Sequence, residues 1–488
     1  MTTAPGASVT TRPGLPGLVR SGWFLPVALA TASLVVSAVR IARPSFWLDE
    51  AATVSMVQRS PAQMLDTLQH IDLVHGLYYL LLRPWAAVAG TSEVALRTPS
   101  AIALAVACVG FVLLVREVSG GRVAAVAGVA FVLLPGLSWT GIEARSYVLV
   151  VALVVWAVWA LHRALRRRQR RWWVLFTVLV VLSVLVHVMA VLMVVPYLVA
   201  GRAADRLRPT AVAVAVAVAA VLPFVVATQA QVGQVSWIQI GPVELGYLVG
   251  LGQLFMGLRA DSGVVQLAAA AVLALVVAAL AVAALRARSG RRFAVDTAVA
   301  WVVVPTLVLA LPVLAGVQLY QERYVAYAAP GACWLVGLGL TALRGPVRVR
   351  AAVGAVAVAA AAVGLVAQAG VASKNADDYR ALADLAPGAT SVLFATDEAR
   401  GVAIAYPDRF TGITDLAAAG PWRGSGTLWG VQRPIEDLAL AGRVVVYVAS
   451  DPDDAHRREA EALLAAAGCR AGGSLEERRW TGTTYDCG

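Results

Sequence analysis

The chain has 488 residues, 59% hydrophobic and 14% charged, with a mean hydropathy of +0.74, which is too apolar for an ordinary soluble domain of this size. Its net charge of +11 raises nucleic acid as a partner. The arginines, however, cluster between apolar runs and leave no basic-aromatic surface, which excludes nucleic acid and leaves a polytopic membrane protein.

A bilayer core of about 30 Å needs about 20 helical residues per span. Residues 1–21 are polar, with Pro and Gly, and read as a cytoplasmic tail. The apolar run 22–42 has no small-residue cleavage motif before Arg40, so it reads as an uncleaved first span. Further spans are predicted near 98–116, 123–141, 146–163, 172–186, 188–201, 210–228, 263–285, 294–316, 324–343 and 350–372, giving an all-α bundle of about 11 transmembrane helices over 22–372. Arginines recur in alternate connections, from Arg163 to Arg171, at Arg202, Arg206 and Arg208, from Arg286 to Arg292, and at Arg344, Arg348 and Arg350. The positive-inside rule makes these connections cytoplasmic. Residues 172–201 could form one tilted helix, but that would put two of the arginine clusters outside, so two short spans are taken.

The first extracytoplasmic loop, 44–97, opens with Phe46-Trp47-Leu48-Asp49-Glu50, a carboxylate pair placed where the chain leaves the bilayer. Such a pair points to chemistry at a membrane surface, although an acidic pair at a helix start can also be solvated or cap the helix. Ala51 to Val57 and Gly76 to Val88 read as amphipathic or interfacial helices. A second long connection, 229–262, carries Trp237 and Tyr247 as candidate interfacial anchors. Shorter turns hold Glu143-Ala144-Arg145-Ser146-Tyr147, His187 and Gln321-Glu322-Arg323-Tyr324. All of these lie opposite the arginine clusters. The span interiors are nearly free of charge and show no inverted repeat, which favours an interfacial enzyme over an ion-coupled pump.

Past Ala372 the composition turns charged and Pro/Gly-punctuated, beginning with Lys374, the chain's only lysine. Residues 373–488 read as a small extracytoplasmic α/β domain, with buried strands at Ser391–Ala395 and Arg443–Val448 and a helix over Asp453–Ala467. It contains no dinucleotide fingerprint, P-loop or metal-spaced Cys/His set, and its role reads equally as acceptor recognition or as a structural cap. Cys108 and Cys333 fall inside apolar spans as small apolar side chains, whereas Cys469 and Cys487 would meet an oxidising compartment and are predicted to form a disulfide.

Taken in order, several motifs resemble the polyprenyl-phosphate-sugar-dependent GT-C glycosyltransferases, close to the protein O-mannosyltransferase and lipid A aminoarabinose transferase group (glycosyltransferase family 39-like). They are Trp47-Leu48-Asp49-Glu50, the run from His75-Gly76-Leu77-Tyr78-Tyr79 to Arg83-Pro84-Trp85, Leu96-Arg97-Thr98-Pro99-Ser100, Glu143 to Tyr147, His187, and Glu322-Arg323-Tyr324. The family usually follows its loop histidine with two prolines, where this chain has Gly76 and Leu77. The resemblance implies a membrane glycosyltransferase that moves mannose or a similar sugar, with inversion, from a polyprenyl-phosphate donor to a cell-envelope glycan, glycolipid or protein acceptor, among membrane lipid on the extracytoplasmic face. It implies Asp49 as general base with Glu50 in support, since a partly desolvated carboxylate can rise toward neutral pKa. Adjacent residues diverge by about 100° on a helix, so only one of the two is expected to face the reaction.

His75, Tyr78, Arg145, Tyr147, His187, Arg323 and Tyr324 are the expected substrate-binding residues, with Arg323 the leading phosphate clamp because a guanidinium offers forked donors. Arg323 also reads as an interfacial arginine, Arg145 as a partner of Glu143, and both histidines as hydrogen-bonded structural residues. Arg97 is expected to orient the loop or meet lipid phosphate. With no i,i+4 histidine pair, no metal and no other cofactor is expected, although a divalent metal held by His75 or His187 with Asp72 or Asp49 stays open. A transporter or flippase of lipid-linked sugars, and an inactive GT-C scaffold, are the competing readings.

Overall fold

The computed structural model describes residues 22–258, 262–374, 376–436 and 438–488. The predicted cytoplasmic tail, 1–21, lies outside these residues.

Each predicted span is helical. Seven helices among the described residues are long and apolar enough to cross a membrane, or eight if the bent pair Gly121–Leu133 and Pro135–Gly141 is one span. The bend of 60° falls where Leu134 turns extended and Pro135 starts a new helix, as expected when a proline excludes helical geometry from the residue before it. The remaining expected crossings are shorter: Phe24–Ala38 (α1), Arg170–Val186 and Val188–Ala203.

The loop after α1 folds inward. Leu48–Val57 (α2) has eight buried residues, Glu50 to Val57, so it is an interior helix and not the interfacial one expected. Its sequence is small and apolar nearly all round, which suits burial on every side. The Thr53 hydroxyl donates to the Ala144 carbonyl at 2.8 Å, and the Ser55 hydroxyl donates to the Leu428 carbonyl at 2.6 Å. Gly76–Ala89 (α3) does divide its faces, with Tyr78, Tyr79 and Leu82 inside and Leu80, Leu81 and Val88 exposed. Glu93–Ser119 (α4) and Tyr147–Arg167 (α5) are two of the long spans, and Val347–Ala367 (α6) is the last.

After α6 the chain builds a five-stranded mixed sheet in the order β2-β1-β3-β5-β4. The strands are Ser391–Phe394 (β1), Thr414–Asp415 (β2), Gly442–Ala449 (β3), Arg470–Glu476 (β4) and Trp480–Cys487 (β5). β1 runs parallel to β2 and β3, while β5 is antiparallel to β3 and β4. β1 and the centre of β3 are buried, consistent with their continuous apolar runs. Cys469 and Cys487 form a disulfide across the β4–β5 edge, and Cys108 and Cys333 are free and buried.

One hydrophobic core joins this C-terminal unit to the first loop: Phe46, Val54, Tyr79 and Leu96 pack in the same cluster as Tyr379, Val402, Trp429 and Trp480. Burying each such side chain contributes about 1.5–3 kcal/mol. Gly401–Ala405 (α7) lies against α2, where a Cβ on Gly401 would come within 3.2 Å of the Trp429 ring and 3.6 Å of the Ala51 Cβ. A clamp closes the same junction. Buried Arg59, just past α2, donates to the carbonyls of Arg423 (2.8 Å), Thr427 (2.5 Å) and Leu428 (3.3 Å) and to the Thr67 hydroxyl (2.9 Å).

Candidate active site

The first turn of α2 sets the site. Trp47 is the extended N-cap residue and neither carboxylate caps the helix, so the capping reading of Asp49 and Glu50 does not hold. The helical rotation instead sends the two carboxylates to different partners. Asp49 faces a cavity of about 1210 Å³, where its Oδ2 lies 3.4 Å from Arg323 Nη2. Glu50, expected in support of catalysis, is turned away from the cavity and fully buried in a forked pair with Arg97, at 2.8 and 2.5 Å. Its Oε1 also accepts the Ala144 N–H at 2.8 Å. Arg97 meets no lipid. Its remaining donors hold the carbonyls of Ile41 (2.9 Å), Pro44 (2.6 Å) and Ser45 (3.0 Å), so it fixes the loop that delivers Asp49.

Arg145 and Arg323 approach Asp49 from two other chain segments. Arg323 lies near the rings of Trp47 (5.2 Å), Tyr324 (5.8 Å) and Trp237 (6.0 Å), a cation–π setting that suits a planar guanidinium. Arg145 does not pair with Glu143. Its Nη1 donates to the Tyr79 hydroxyl (2.6 Å) and the Asp49 carbonyl (3.3 Å) and sits 3.5 Å from Asp72 Oδ2, and Tyr79 in turn donates to Asp72. The Nε atoms of both arginines and the Trp47 indole nitrogen are buried without a hydrogen-bond partner. Orphaned buried donors carry a desolvation cost that an incoming acceptor group would relieve.

Tyr78 was the expected tyrosine. The structure turns it into the packed interior with an unpartnered hydroxyl, away from the cavity, and gives the polar role to its neighbour Tyr79. Tyr79, quoted in the sequence only as part of a motif, and Asp72, offered there only as a metal partner of the histidines, join the site as the hydrogen-bonding partners of Arg145.

His75, Tyr147, His187 and Tyr324 form an aromatic floor. The His75 and His187 rings lie 5.2 Å apart, Tyr147 is 5.5 Å from His187 and Tyr324 is 5.4 Å from it. His75 Nδ1 is 2.8 Å from the Ser146 hydroxyl, and the Met189 N–H donates to His187 Nδ1 at 3.4 Å. Burial, reinforced by Arg145 and Arg323, holds His75 well below its usual range and His187 down at about 3. Both rings are therefore neutral at pH 7, so the cationic groups beside Asp49 are the two arginines. No cluster of three or more His, Cys, Asp or Glu suited to a metal occurs among the described residues.

The cavity has two further walls. An apolar flank includes Met189, Val235, Leu248, Leu258 and Leu319, and the roof comes from the C-terminal unit through Glu398, Leu428, Trp429, Arg478 and Arg479. Glu398 and Arg479 pair at 2.5 Å on that roof. No motif in the sequence announced the roof, because its residues are brought in by the sheet and by the Arg59 clamp.

Comparison with known proteins agrees with this architecture. Residues 76–228 match the family model described as dolichyl-phosphate-mannose-protein mannosyltransferase. No curated protein matches the sequence. ArnT from Cupriavidus metallidurans in the apo state superposes with a TM-score of 0.56 at 14% identity, over 96% of this chain and 98% of ArnT. The same protein bound to undecaprenyl phosphate gives 0.55 at 13% identity, over 95% and 98% of the two chains. An Archaeoglobus fulgidus oligosaccharyltransferase in complex with Zn and sulfate gives 0.51 at 14% identity, over 86% and 67%.

Proposed function

On the GT-C glycosyltransferase fold that this membrane protein shares with those enzymes, we propose that the chain transfers a sugar from a polyprenyl-phosphate donor to a cell-envelope acceptor, with Asp49 as general base. The observation that carries the reading is the 3.4 Å approach of Asp49 to Arg323, with Arg145 beside them, in a cavity between membrane helices and the C-terminal unit. A base for an acceptor hydroxyl and cations for a departing phosphate are thus side by side.

In the reaction the acceptor hydroxyl gives its proton to the Asp49 carboxylate as its oxygen attacks the anomeric carbon. The bond from that carbon to the phosphate oxygen breaks, and its electron pair leaves with the polyprenyl phosphate. Direct displacement inverts the anomeric centre. Arg323 and Arg145, both lining the cavity, neutralise the leaving phosphate with guanidinium groups whose planar fork suits its oxygens. When the phosphate takes Arg323, the Asp49 carboxylate loses its resident partner and is free for the acceptor proton. The apolar flank suits the first prenyl units. The arginine-rich connections on the opposite side support an extracytoplasmic site.

The test compares membranes containing wild type with membranes containing equally expressed Asp49→Asn, supplied with radiolabelled prenyl-phosphate sugars. Loss of a labelled product in the variant alone supports the reading and identifies the donor. Equal transfer removes Asp49 as base, and absence of transfer with every donor points to a transporter or scaffold.

A further inference from the structure

Between the helix Pro61–His70 and α3 the chain turns sharply at Asp72, the carboxylate beside Arg145. Asp72 sits at φ 63°, in the left-handed region that a residue with a Cβ keeps only where its surroundings hold it there. Its side chain does not cap the short turn Leu73–His75 that follows. It accepts from Tyr79 instead and lies 3.5 Å from Arg145, whose Nη1 also donates to the Tyr79 hydroxyl at 2.6 Å. The N–H groups of Asp72 and Leu73 therefore need acceptors from elsewhere in the chain.

Two glutamines just past the span Leu207–Gln229 supply them. Gln231 Oε1 accepts the Leu73 N–H (2.9 Å) while its amide donates to the Leu68 carbonyl (2.9 Å), and Gln234 Oε1 accepts the Asp72 N–H (3.0 Å). Gln231 is buried, and both ends of its amide are matched to backbone groups around the same turn. The stretch that carries these glutamines is also fixed further on. Gln318, on the segment that leads into Arg323, accepts the Ile240 N–H (3.0 Å) and donates to the Ile240 carbonyl (3.3 Å), and Trp237 lies 6.0 Å from Arg323. Val232, Gln234, Val235 and Trp237 of this stretch line the cavity. We propose that Gln231 and Gln234 are positioning residues: by holding the left-handed turn at Asp72, they set the chain Asp72–Tyr79–Arg145, and so the Arg145 guanidinium, for the donor's phosphate.

Both glutamines act through the backbone of Asp72 and Leu73. Without them the turn can relax away from φ 63°, which moves the Asp72 carboxylate relative to Tyr79 and Arg145. Arg145 then keeps its charge and loses its aim, and a guanidinium fork serves a phosphate only when it is aimed. A neutral acceptor suits the place. It holds the two N–H groups without adding a further carboxylate beside Asp49 and Asp72, which would compete with the phosphate for Arg145. The consequence is kinetic and rests on the transferase reading: the acceptor hydroxyl meets Asp49, so loosening Arg145 should weaken use of the donor and leave the acceptor's KM alone.

The experiment uses the full chain purified in detergent as wild type, Gln234→Met, a double variant with Gln231→Met and Gln234→Met, Asp72→Gly, and Asp72→Gly combined with both glutamine changes. Hydrogen exchange of the amides from Leu68 to Tyr79 is read first, without substrate. It should be faster in both glutamine variants while the thermal midpoint stays near that of wild type. Unchanged exchange overturns the proposal. If the double variant does not fold, Gln234→Met decides alone, because Gln234 is half-buried and holds the Asp72 N–H by itself. In transfer assays the donor's kcat/KM should fall about 10- to 100-fold in the double variant, with the acceptor's KM unchanged. Asp72→Gly accepts the left-handed turn and removes the carboxylate, so adding the glutamine changes to it should cost nothing further. A further loss there, or an acceptor KM that rises with the donor's, overturns positioning through Asp72. If wild type transfers nothing from any donor, the transferase reading fails. The exchange rates, and the rise in thermal midpoint caused by a sugar-free prenyl phosphate, still decide this proposal: the rise should be smaller in the double variant than in wild type, and an equal rise overturns it.

Discussion

Asp49 and Arg323 hold each other at 3.4 Å although they lie far apart along the chain, one in the first turn of α2 and one at the start of the span Glu322–Ala342. The pair carries the first expectation. Asp49→Asn keeps the shape and removes the proton acceptor, so transfer should fall by about 10²–10⁴-fold with little change in melting. Arg323→Lys keeps the charge but not the fork and should lose less than Arg323→Gln, with the loss concentrated in kcat if the contact strengthens as the phosphate departs. Steady-state rates on matched membranes check both, and unchanged kcat in Arg323→Gln would remove it from the phosphate site.

Glu50 should behave in the opposite way to its neighbour. It and Arg97 are a completely buried forked pair, so Glu50→Gln or Arg97→Ala leaves a charge without a partner and should cost about 3–5 kcal/mol. We expect poor accumulation and a lowered thermal midpoint for these variants, and for Asp49→Asn neither. A Glu50→Gln protein that melts with wild type but transfers nothing would return Glu50 to the chemistry.

How far the sequence alone reaches is visible in these residues. The order of Asp49, Arg145, His187 and Arg323 along the chain, all on one side of the membrane, reads directly from the sequence, and so do the long helices and the buried strands β1 and β3, because apolar runs and arginine clusters report them. The division of labour within adjacent pairs was harder to read. Asp49 and Glu50, or Tyr78 and Tyr79, differ by one helical step, and which of the two turns inward depends on packing that no single motif records. Helix α2 reads from its sequence as amphipathic or interfacial, yet Ala51, Ala52, Val54, Met56 and Val57 cover it nearly all round, a pattern whose physical meaning is burial. The roof of Trp429, Glu398 and Arg479 had no signal at all, since its position depends on sheet pairing and on Arg59 holding distant carbonyls.

Acid should loosen the aromatic floor through His187. Burial lowers it from 6.5 to about 3, so the folded site holds it neutral and the unfolded chain binds its proton first. Its contribution is complete above about pH 6.5 and is lost as pH falls toward 3. Carboxylates titrate in the same direction, so the comparison has to be between proteins. His187→Gln should melt with a shallower dependence on pH between about 6.5 and 4 than wild type. Parallel curves would mean that His187 is already charged in the fold.

The disulfide offers a test of orientation that does not depend on activity. Cys469 and Cys487 are paired while Cys108 and Cys333 are buried thiols, and such a pair persists in an oxidising compartment. On intact cells, a membrane-impermeant maleimide should label the protein only after mild reduction, and the label should be lost in a Cys469→Ser, Cys487→Ser double variant. Labelling only after permeabilisation would put the C-terminal unit, and with it the roof over Asp49, on the cytoplasmic side, whereas labelling of intact cells without reduction would mean that Cys469 and Cys487 are not paired.

The clamp at Arg59 makes the roof itself testable. Its guanidinium holds the carbonyls of Arg423, Thr427 and Leu428 with no carboxylate among its hydrogen-bond acceptors, and Leu428 and Trp429 face the cavity. Arg59→Met keeps most of the buried volume and removes those donors, stranding backbone acceptors that each cost about 1–3 kcal/mol to leave unsatisfied. The segment 422–430 should then open locally before the rest of the protein unfolds, because the shared core of Phe46, Val54, Tyr379 and Trp480 does not depend on Arg59. Limited proteolysis should show new cleavage within that segment at a temperature where wild type resists. If a roof held in place matters for the acceptor, transfer by Arg59→Met should show a raised KM for the acceptor and an unchanged KM for the donor. A donor KM that rises equally would mean that the clamp supports the whole cavity, through α2 and Asp49, and not its roof alone.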